Sequence, residues 1–436
     1  MTRDIISTPS APRVVIIGGG FGGLACAAEL GSCDIDVLLL DRRNHNLFQP
    51  LLYQVATAAL SPADIAEPIR RTLSRFKNIK VLLAEVDGVD QQQRIVTAAN
   101  GETFPYDHLV IATGSDYNYF GRDDWRALAP GLKTLREARE IRQRLLLAFE
   151  QAELSKSHEE KLACLTTIII GGGPTGVEMA GAISELGRFM ITKDYRNLAP
   201  DQMRVVLVEA GPRILAAFPE ELSTYAEQYL KEIGVEVQTG TMVTDIRPGE
   251  VVIGSDIVLC GCVVWGAGIK ASPAARWLGI EADRLGRIPV NSALQVEGCD
   301  DIYSVRDTSL LAGGDGKPLP ALAQVAKQQG QHLGQGLRQR LLHGRPLKPF
   351  IFRNRGNTAV IGRNAAVFDF GSWRLKGRLA WLLWAFVHVY LLINFEKRVL
   401  VSIQWVSRYI TRQRGARIVD EEKSPPMELI PVKPKA

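Results

Sequence analysis

Cysteine and histidine are scarce in this chain, six of each among 436 residues, and no C-x-x-C pair or zinc-type spacing occurs. A disulfide scaffold and a structural zinc module are therefore excluded. The scatter of Cys26, Cys33, Cys164, Cys260, Cys262 and Cys299 fits buried thiols in a reducing compartment. Long hydrophobic runs are also wanting. Residues 379–395, LAWLLWAFVHVYLLINF, are free of Asp, Glu, Lys and Arg but number only 17, at the lower limit of the ~17–25 that cross a bilayer. The opening MTRDIISTPSAPR has no apolar core of a secretory signal, so a cytoplasmic start is expected. With 46% hydrophobic and 23% charged residues, the composition is that of an ordinary globular protein with room for two or three domains.

Glycine, by contrast, is placed with purpose. GGGFGG at 18–23 and GGGPTG at 171–176 each follow a short apolar run, VVII at 14–17 and TIII at 167–170, and each opens a segment with helical spacing. That is the strand, turn and helix of a dinucleotide-binding unit. The first glycine makes the tight turn, the second lets the backbone approach a pyrophosphate, and the third lets helix pack on strand. These are Gly18, Gly20 and Gly23, then Gly171, Gly173 and Gly176. Unpaired N–H groups at the helix start favour an anion there.

One such turn is a weak signal. Each of these, however, is followed by a strand that ends in an acid suited to an adenosine ribose: VLLL at 37–40 ends at Asp41, and VVLV at 205–208 ends at Glu209. The second acid lies 38 residues after Gly171, beyond the usual ~20, which an insertion around residues 195–201 would explain. Glu209 is placed to accept from a 2′-hydroxyl and to repel a 2′-phosphate, so a nicotinamide dinucleotide held in this unit would be NADH rather than NADPH, with Arg213 offsetting part of that repulsion. Two bound dinucleotides follow.

Both units close on an apolar strand and a small-residue turn: LVIATG at 109–114, offering Ala112, Thr113 and Gly114, and CVVWGAG at 262–268, offering Gly268. The expected architecture is α/β, with two Rossmann-like domains, the second inserted in the first, and a C-terminal amphipathic membrane-anchoring helical region. The first domain takes residues 12–120 and 275–349, the second 161–274, the membrane-association region 350–418, and a mobile tail 419–436. A linking helix is expected over 135–154, its apolar positions mixed with many charges as on a solvated helix.

The net charge of +5 hides an asymmetry. Residues 371–417 hold nine Lys or Arg against one acid, which leaves the rest of the chain mildly acidic. Because these cations interleave with the apolar run and with Trp373, Trp381, Trp384 and Trp405, they point to a lipid surface and not to nucleic acid. His388 and Asn394 interrupt the run, and a second segment over 399–410 carries Val401, Trp405 and Tyr409 at i, i+4 spacing. Two helices lying in the interface fit better than one span, and helices packed in a homodimer interface are the alternative.

Four stretches carry a family resemblance: NLFQPLLYQVAT at 46–57, PTGVE at 174–178, PALAQVAKQQG at 320–330, and a tail with Lys376-Gly377, Ala380-Trp381, Trp384, His388, Trp405 and Arg414-Gly415-Ala416-Arg417. The chain resembles the two-dinucleotide flavoprotein reductases, and within them the type II NADH:quinone oxidoreductases. The resemblance implies FAD in the first unit and NADH in the second. Hydride would pass from NADH to the flavin and electrons to a membrane quinone, without proton pumping, on the cytoplasmic face of the membrane. It also implies that Asp307 bonds the ribityl-phosphate portion, and that Ala323 and Gln324 begin a helix aimed at the isoalloxazine and bordering the quinone site. Gln328 follows one turn on. Glu178 would lie near the nicotinamide, and Lys376 would reach the flavin region.

Two positions depart from the family pattern, Asn46, where a histidine is common, and Arg306, and the second bears on the cofactor. The strand before Asp307 is expected to end in Gly-Asp, but here the residues are Val305-Arg306-Asp307. Glycine in such a place allows a positive φ or a close approach to the cofactor, which an arginine side chain would oppose. A flavin-poor, NADH-binding membrane adaptor is the alternative this raises. A sulfide:quinone-type reductase is another, opposed by the absence of cysteine at 44–59 and after Cys299.

Overall fold

The structure, a computed structural model, describes residues 11–314, 316–391, 395–411 and 417–419. Two compact units are present. One comprises Met1–Leu47, Ala66–Asp116 and Ile269–Arg355, and the other Phe48–Ile65, Tyr117–Gly268 and Gly356–Ala436.

The first unit is built on a five-stranded parallel sheet in the order Ile302–Ser304, His108–Ile111, Arg13–Ile17, Asp36–Asp41, Ile79–Leu83. Val14, Val15 and Ile16 are fully buried, because a parallel sheet covered on both faces needs apolar side chains at successive positions. The helix Phe21–Glu29 follows the first glycine turn and packs along Ala323–His343. Glycines make that packing close: a Cβ on Gly330 would collide with the carbonyl of Gly22, and one on Gly334 would lie 2.7 Å from the carbonyl of Cys26.

The second unit repeats the plan with four parallel strands, Val235–Thr239, Arg204–Glu209, Thr166–Ile170 and Cys262–Trp265. Its helix Pro174–Lys193 has 20 residues where Phe21–Glu29 has 9. The late position of Glu209 therefore comes largely from a longer helix, with only a short turn at Pro200–Gln202 added. Each unit also carries a three-stranded antiparallel sheet between the strand that follows the acid and the closing strand: Val86–Asp90, Ile95–Ala98 and Thr103–Pro105 in one, Val243–Arg247, Glu250–Ile253 and Asp256–Leu259 in the other.

The helix Leu135–Leu154 starts where expected, capped by the Thr134 hydroxyl, which accepts from the Glu137 N–H at 3.1 Å. It is not solvated all round, however. Ile141, Leu145, Ala148, Phe149 and Ala152 form a buried stripe at helical spacing, so the charges occupy one face only.

In the C-terminal part, an antiparallel sheet of Asn357–Gly362, Ala365–Asp369 and Arg374–Gly377 leads into two helices, Arg378–Leu391 and Phe395–Thr411. Among the described residues no helix is long and apolar enough to cross a membrane. Ala380, Trp384, His388 and Val401 turn inward, while Leu379, Leu382, Phe386 and Tyr390 line one exposed stripe and Val399, Ile403 and Val406 another. This corrects the sequence reading in one respect: the stripe of Val401, Trp405 and Tyr409 faces protein at its first two members, and the outward apolar face consists of Leu, Phe, Ile, Val and Tyr. Asn394 and the run Arg414-Gly415-Ala416 lie outside the described residues, as does all but residue 419 of the tail expected to be mobile.

Candidate functional site

The two glycine turns have matching geometry. Gly18 has φ +104°, and a Cβ there would stand 2.5 Å from the carbonyl oxygen of Ala112, so only glycine lets the turn lie against the closing strand. Gly171, at φ +106°, has the same relation to Gly266 and Ala267. Gly23 and Gly176 each lie so near the carbonyl of Gly18 and Gly171 respectively that any side chain would collide. Gly20 and Gly173 cap their helices with no side-chain bond, and neither helix has an acid in its first turn. A ready anion site results at each.

The acids also correspond. Asp41 accepts from the N–H of Gly19 at 2.6 Å and of Arg43 at 2.7 Å. Glu209 accepts from Gly172 at 2.6 Å and Gly211 at 2.7 Å. Each carboxylate is thus held against its own glycine turn. Arg213 bonds the carbonyls of Ala216 and Phe218, both at 2.8 Å, which commits its guanidinium to a local loop.

Around the first turn, polar side chains converge from distant segments. Thr113 bonds Ser272 at 2.5 Å, the Gly114 N–H donates to Thr308 at 3.0 Å, and Ser115 donates to Asp307 at 2.5 Å. Ser272 and Thr308 carried no sequence signal of their own. Arg306 sits here with φ +74°, its guanidinium over Gly20 and 3.1 Å from where a Cβ on Gly114 would lie. The glycine turn, the uncapped helix and the hydroxyl cluster fit the diphosphate part of a dinucleotide, and the arginine is accommodated rather than expelled.

Ala323 and Gln324 do begin the helix Ala323–His343. Gln324 accepts from the Arg355 N–H at 3.0 Å, and Gln328 makes a reciprocal pair with the main chain of Arg353 at 3.0 and 3.1 Å. These glutamines therefore organise the segment that leaves the first unit. Lys376 lies 3.5 Å from Glu221 and over the ring of Tyr225.

Glu178 is the most perturbed acid. It stands two residues after Gly176 on the helix Pro174–Lys193, where Gly181 brings the strand Asn357–Gly362 within backbone contact. The Val360 N–H reaches its carboxylate at 3.5 Å. Burial dominates that long bond and pushes the carboxyl up to about 8, so it is protonated at neutral pH. What surface it retains faces a cavity of about 760 Å³ in the second unit, whose walls include Tyr53, Gln54, Trp381, Trp384 and Trp405.

The cavity wall is braced by aromatic packing. Trp384 stacks on Trp405 at 5.2 Å and on His388 at 4.4 Å. The Trp405 indole donates to Gln54, which donates in turn to the Tyr53 hydroxyl, both at 3.0 Å. His388 is buried and hydrogen-bonds the Trp384 carbonyl at 2.8 Å; burial pushes it down to about 4, so it is neutral. No site role was read from Tyr53, Gln54, Trp384 or Trp405 in the sequence. The signal was the run at 46–57 together with a tryptophan-rich tail, whose meeting needs the tertiary fold.

The pyridine nucleotide-disulphide oxidoreductase family matches residues 12–330, and the NDH2 C-terminal domain matches 354–413. Type II NADH:quinone oxidoreductase Ndh of Mycobacterium tuberculosis is 37% identical over 430 residues, covering 95% of this chain and 92% of that protein. The chain belongs to the type II NADH:quinone oxidoreductases. NdhA of the same organism is 37% identical over 427 residues, covering 94% of this chain and 90% of its own. The structure of NDH2 from Plasmodium falciparum in complex with NADH superposes with a TM-score of 0.85 at 21% identity, covering 94% of this chain and all of that one. The sulfide:quinone oxidoreductase of Aquifex aeolicus shares the fold more distantly, with a TM-score of 0.70 at 19% identity over 89% of this chain and 92% of that one.

All six cysteines are free, and burial pushes Cys26 and Cys262 up to about 12, leaving inert thiols.

Proposed function

We propose that this protein is an FAD-dependent NADH:quinone oxidoreductase working at a lipid surface, with FAD at the first glycine turn and NADH at the second. FAD, when bound, would supply the redox chemistry of hydride acceptance and two-electron transfer to quinone. The protein's part is to hold, orient and protonate. Gly18, Gly20 and Gly23 shape the turn that brings the start of the helix Phe21–Glu29 against one pyrophosphate, with Ala112, Thr113, Gly114 and Asp307 beside it and Asp41 at the ribose. Gly171, Gly173 and Gly176 do the same for NADH, with Glu209 at its ribose and Gly268 on the closing turn. Both units are read as Rossmann-like domains on this basis.

The observation that carries the reading is Glu178 on the wall of an aromatic cavity, two residues beyond the second glycine turn, where burial pushes its carboxyl up. Quinone reduction consumes two electrons and two protons, of which the hydride from NADH carries both electrons and one proton and leaves one proton to be supplied. A neutral carboxyl beside an apolar, ring-sized space can donate one proton to a quinone oxygen and recover it from solvent. Ala323, Gln324 and Gln328 are assigned to the flavin ring and quinone border, and Lys376 to the flavin region. The exposed apolar stripes on the two C-terminal helices, with their basic flanks, make a monotopic anchor on the cytoplasmic face.

The test is a spectrum followed by turnover. Purified protein supplied with FAD should hold a stoichiometric flavin that NADH bleaches and a short-chain quinone restores. No NADH-reducible flavin in the presence of excess FAD would overturn the reading.

A further inference from the structure

Arg306 holds a conformation that glycine would take without strain, and its side chain lies in the first glycine turn. Its φ of +74° is in the left-handed region that disfavours a residue with a Cβ. Two hydrogen bonds hold that backbone: the Arg306 N–H donates to Gln329 at 2.7 Å, and its carbonyl accepts from Ser309 at 2.9 Å. Both use main-chain atoms, so a glycine would keep them. The contribution specific to arginine is therefore the guanidinium.

That group stands over Gly20, the helix cap of the first turn, where it would collide with any Cβ. It also lies 3.1 Å from the place of a Cβ on Gly114, 5.9 Å from the Phe21 ring and 3.9 Å from the Asp307 carboxylate. It is thus held where a pyrophosphate would approach the turn, beside the carboxylate of Asp307. An acid beside a doubly charged diphosphate repels it, and a cation on the same turn offsets that repulsion.

Resting on the reading that FAD occupies the first turn, we propose that Arg306 is a pyrophosphate ligand. Its guanidinium donates to a non-bridging phosphate oxygen alongside the N–H groups at the start of the helix Phe21–Glu29. The side chain is long and jointed, so the guanidinium can turn aside by the width of the ligand while the Cα stays where Gln329 and Ser309 fix it.

The experiment is FAD titration of the deflavinated full-length protein, followed by flavin fluorescence at several salt concentrations, for wild type, Arg306→Gly and Arg306→Lys. Thermal melting of each apoprotein runs alongside. Arg306→Gly should melt at or above the wild-type temperature, because strain is relieved, yet its dissociation constant for FAD should rise about 10–100-fold with a shallower salt dependence. Arg306→Lys, which keeps the charge but not the fork, should fall between. If wild type binds FAD and Arg306→Gly binds it as tightly or more tightly, the arginine is an obstruction and the assignment fails while the flavin reading stands. Absence of FAD uptake by wild type overturns both.

Discussion

The indole N–H of Trp405 donates to the side-chain carbonyl of Gln54 at 3.0 Å, across 351 residues of sequence. This bond joins the segment Phe48–Ile65 to the C-terminal helix Phe395–Thr411 inside one compact unit, and Trp384 stacks on the same indole. Trp405→Phe keeps the apolar ring but removes the donor, leaving the Gln54 carbonyl short of a partner. It should cost about 1 kcal/mol of stability. Because Trp405 and Gln54 both line the cavity, the variant should raise the KM for quinone several-fold and leave that for NADH unchanged. Paired steady-state assays and a denaturant melt check both parts.

Glu178 gives a pH signature. Its carboxyl is raised by burial to about 8, so in the folded protein it keeps its proton across neutral pH, where the unfolded chain has lost its own. The folded state therefore binds the extra proton between the ordinary carboxylate range and about 8, and stability from this group falls as pH rises through that window. Glu178→Gln removes the titration. Its stability should overtake wild type as pH approaches 8, while quinone turnover drops about 10²-fold and loses the alkaline limb seen in wild type. A variant with unchanged pH dependence would exclude Glu178 as the donor.

Nicotinamide choice rests on Glu209. Its carboxylate is fixed by Gly172 and Gly211, and Arg213 is tied to the Ala216 and Phe218 carbonyls, so the sequence expectation of partial relief from Arg213 weakens. Wild type should favour NADH over NADPH by about 2 kcal/mol or more in kcat/KM, the scale of a lost charge-assisted bond plus repulsion. Glu209→Gln should narrow the gap at least tenfold. Equal efficiencies in wild type would refute the assignment.

Membrane attachment should depend on the outward stripes. Phe386 and Ile403 are 70% and 60% exposed, and each would bury about 1.5–3 kcal/mol of apolar surface in lipid. The double substitution Phe386→Ser and Ile403→Ser should release the protein from vesicles with anionic headgroups. High salt should release wild type incompletely, since screening weakens the basic flanks but not the apolar face. Sedimentation with vesicles measures both.

Much of the fold was legible because the dinucleotide turn is a local problem. A strand, a glycine at positive φ and a helix follow one another within about ten residues, and backbone sterics leave few side chains that can sit there. The acids Asp41 and Glu209 were legible for the same reason, as each ends the next strand. The cause of the longer second spacing was not, since a helix of 20 residues and an insertion leave the same count in sequence.

What only the tertiary structure decided involves long-range packing. Sequence shows two tryptophan-bearing apolar segments in the tail, but helical periodicity leaves either face free to meet protein or lipid. Packing chose the tryptophan face of Trp384 and Trp405 for the protein and left Leu, Phe and Ile outside. The proton on Glu178 likewise depends on Gly181 admitting the strand Asn357–Gly362 against its helix, a contact across some 180 residues that desolvates the carboxyl. Arg306 is the sharpest case: the sequence marked it as out of place, and the hydrogen bonds to Gln329 and from Ser309 are what hold an arginine where glycine would be at ease. Local sterics can be read along a chain, whereas burial and charge depend on which distant segments close around a group.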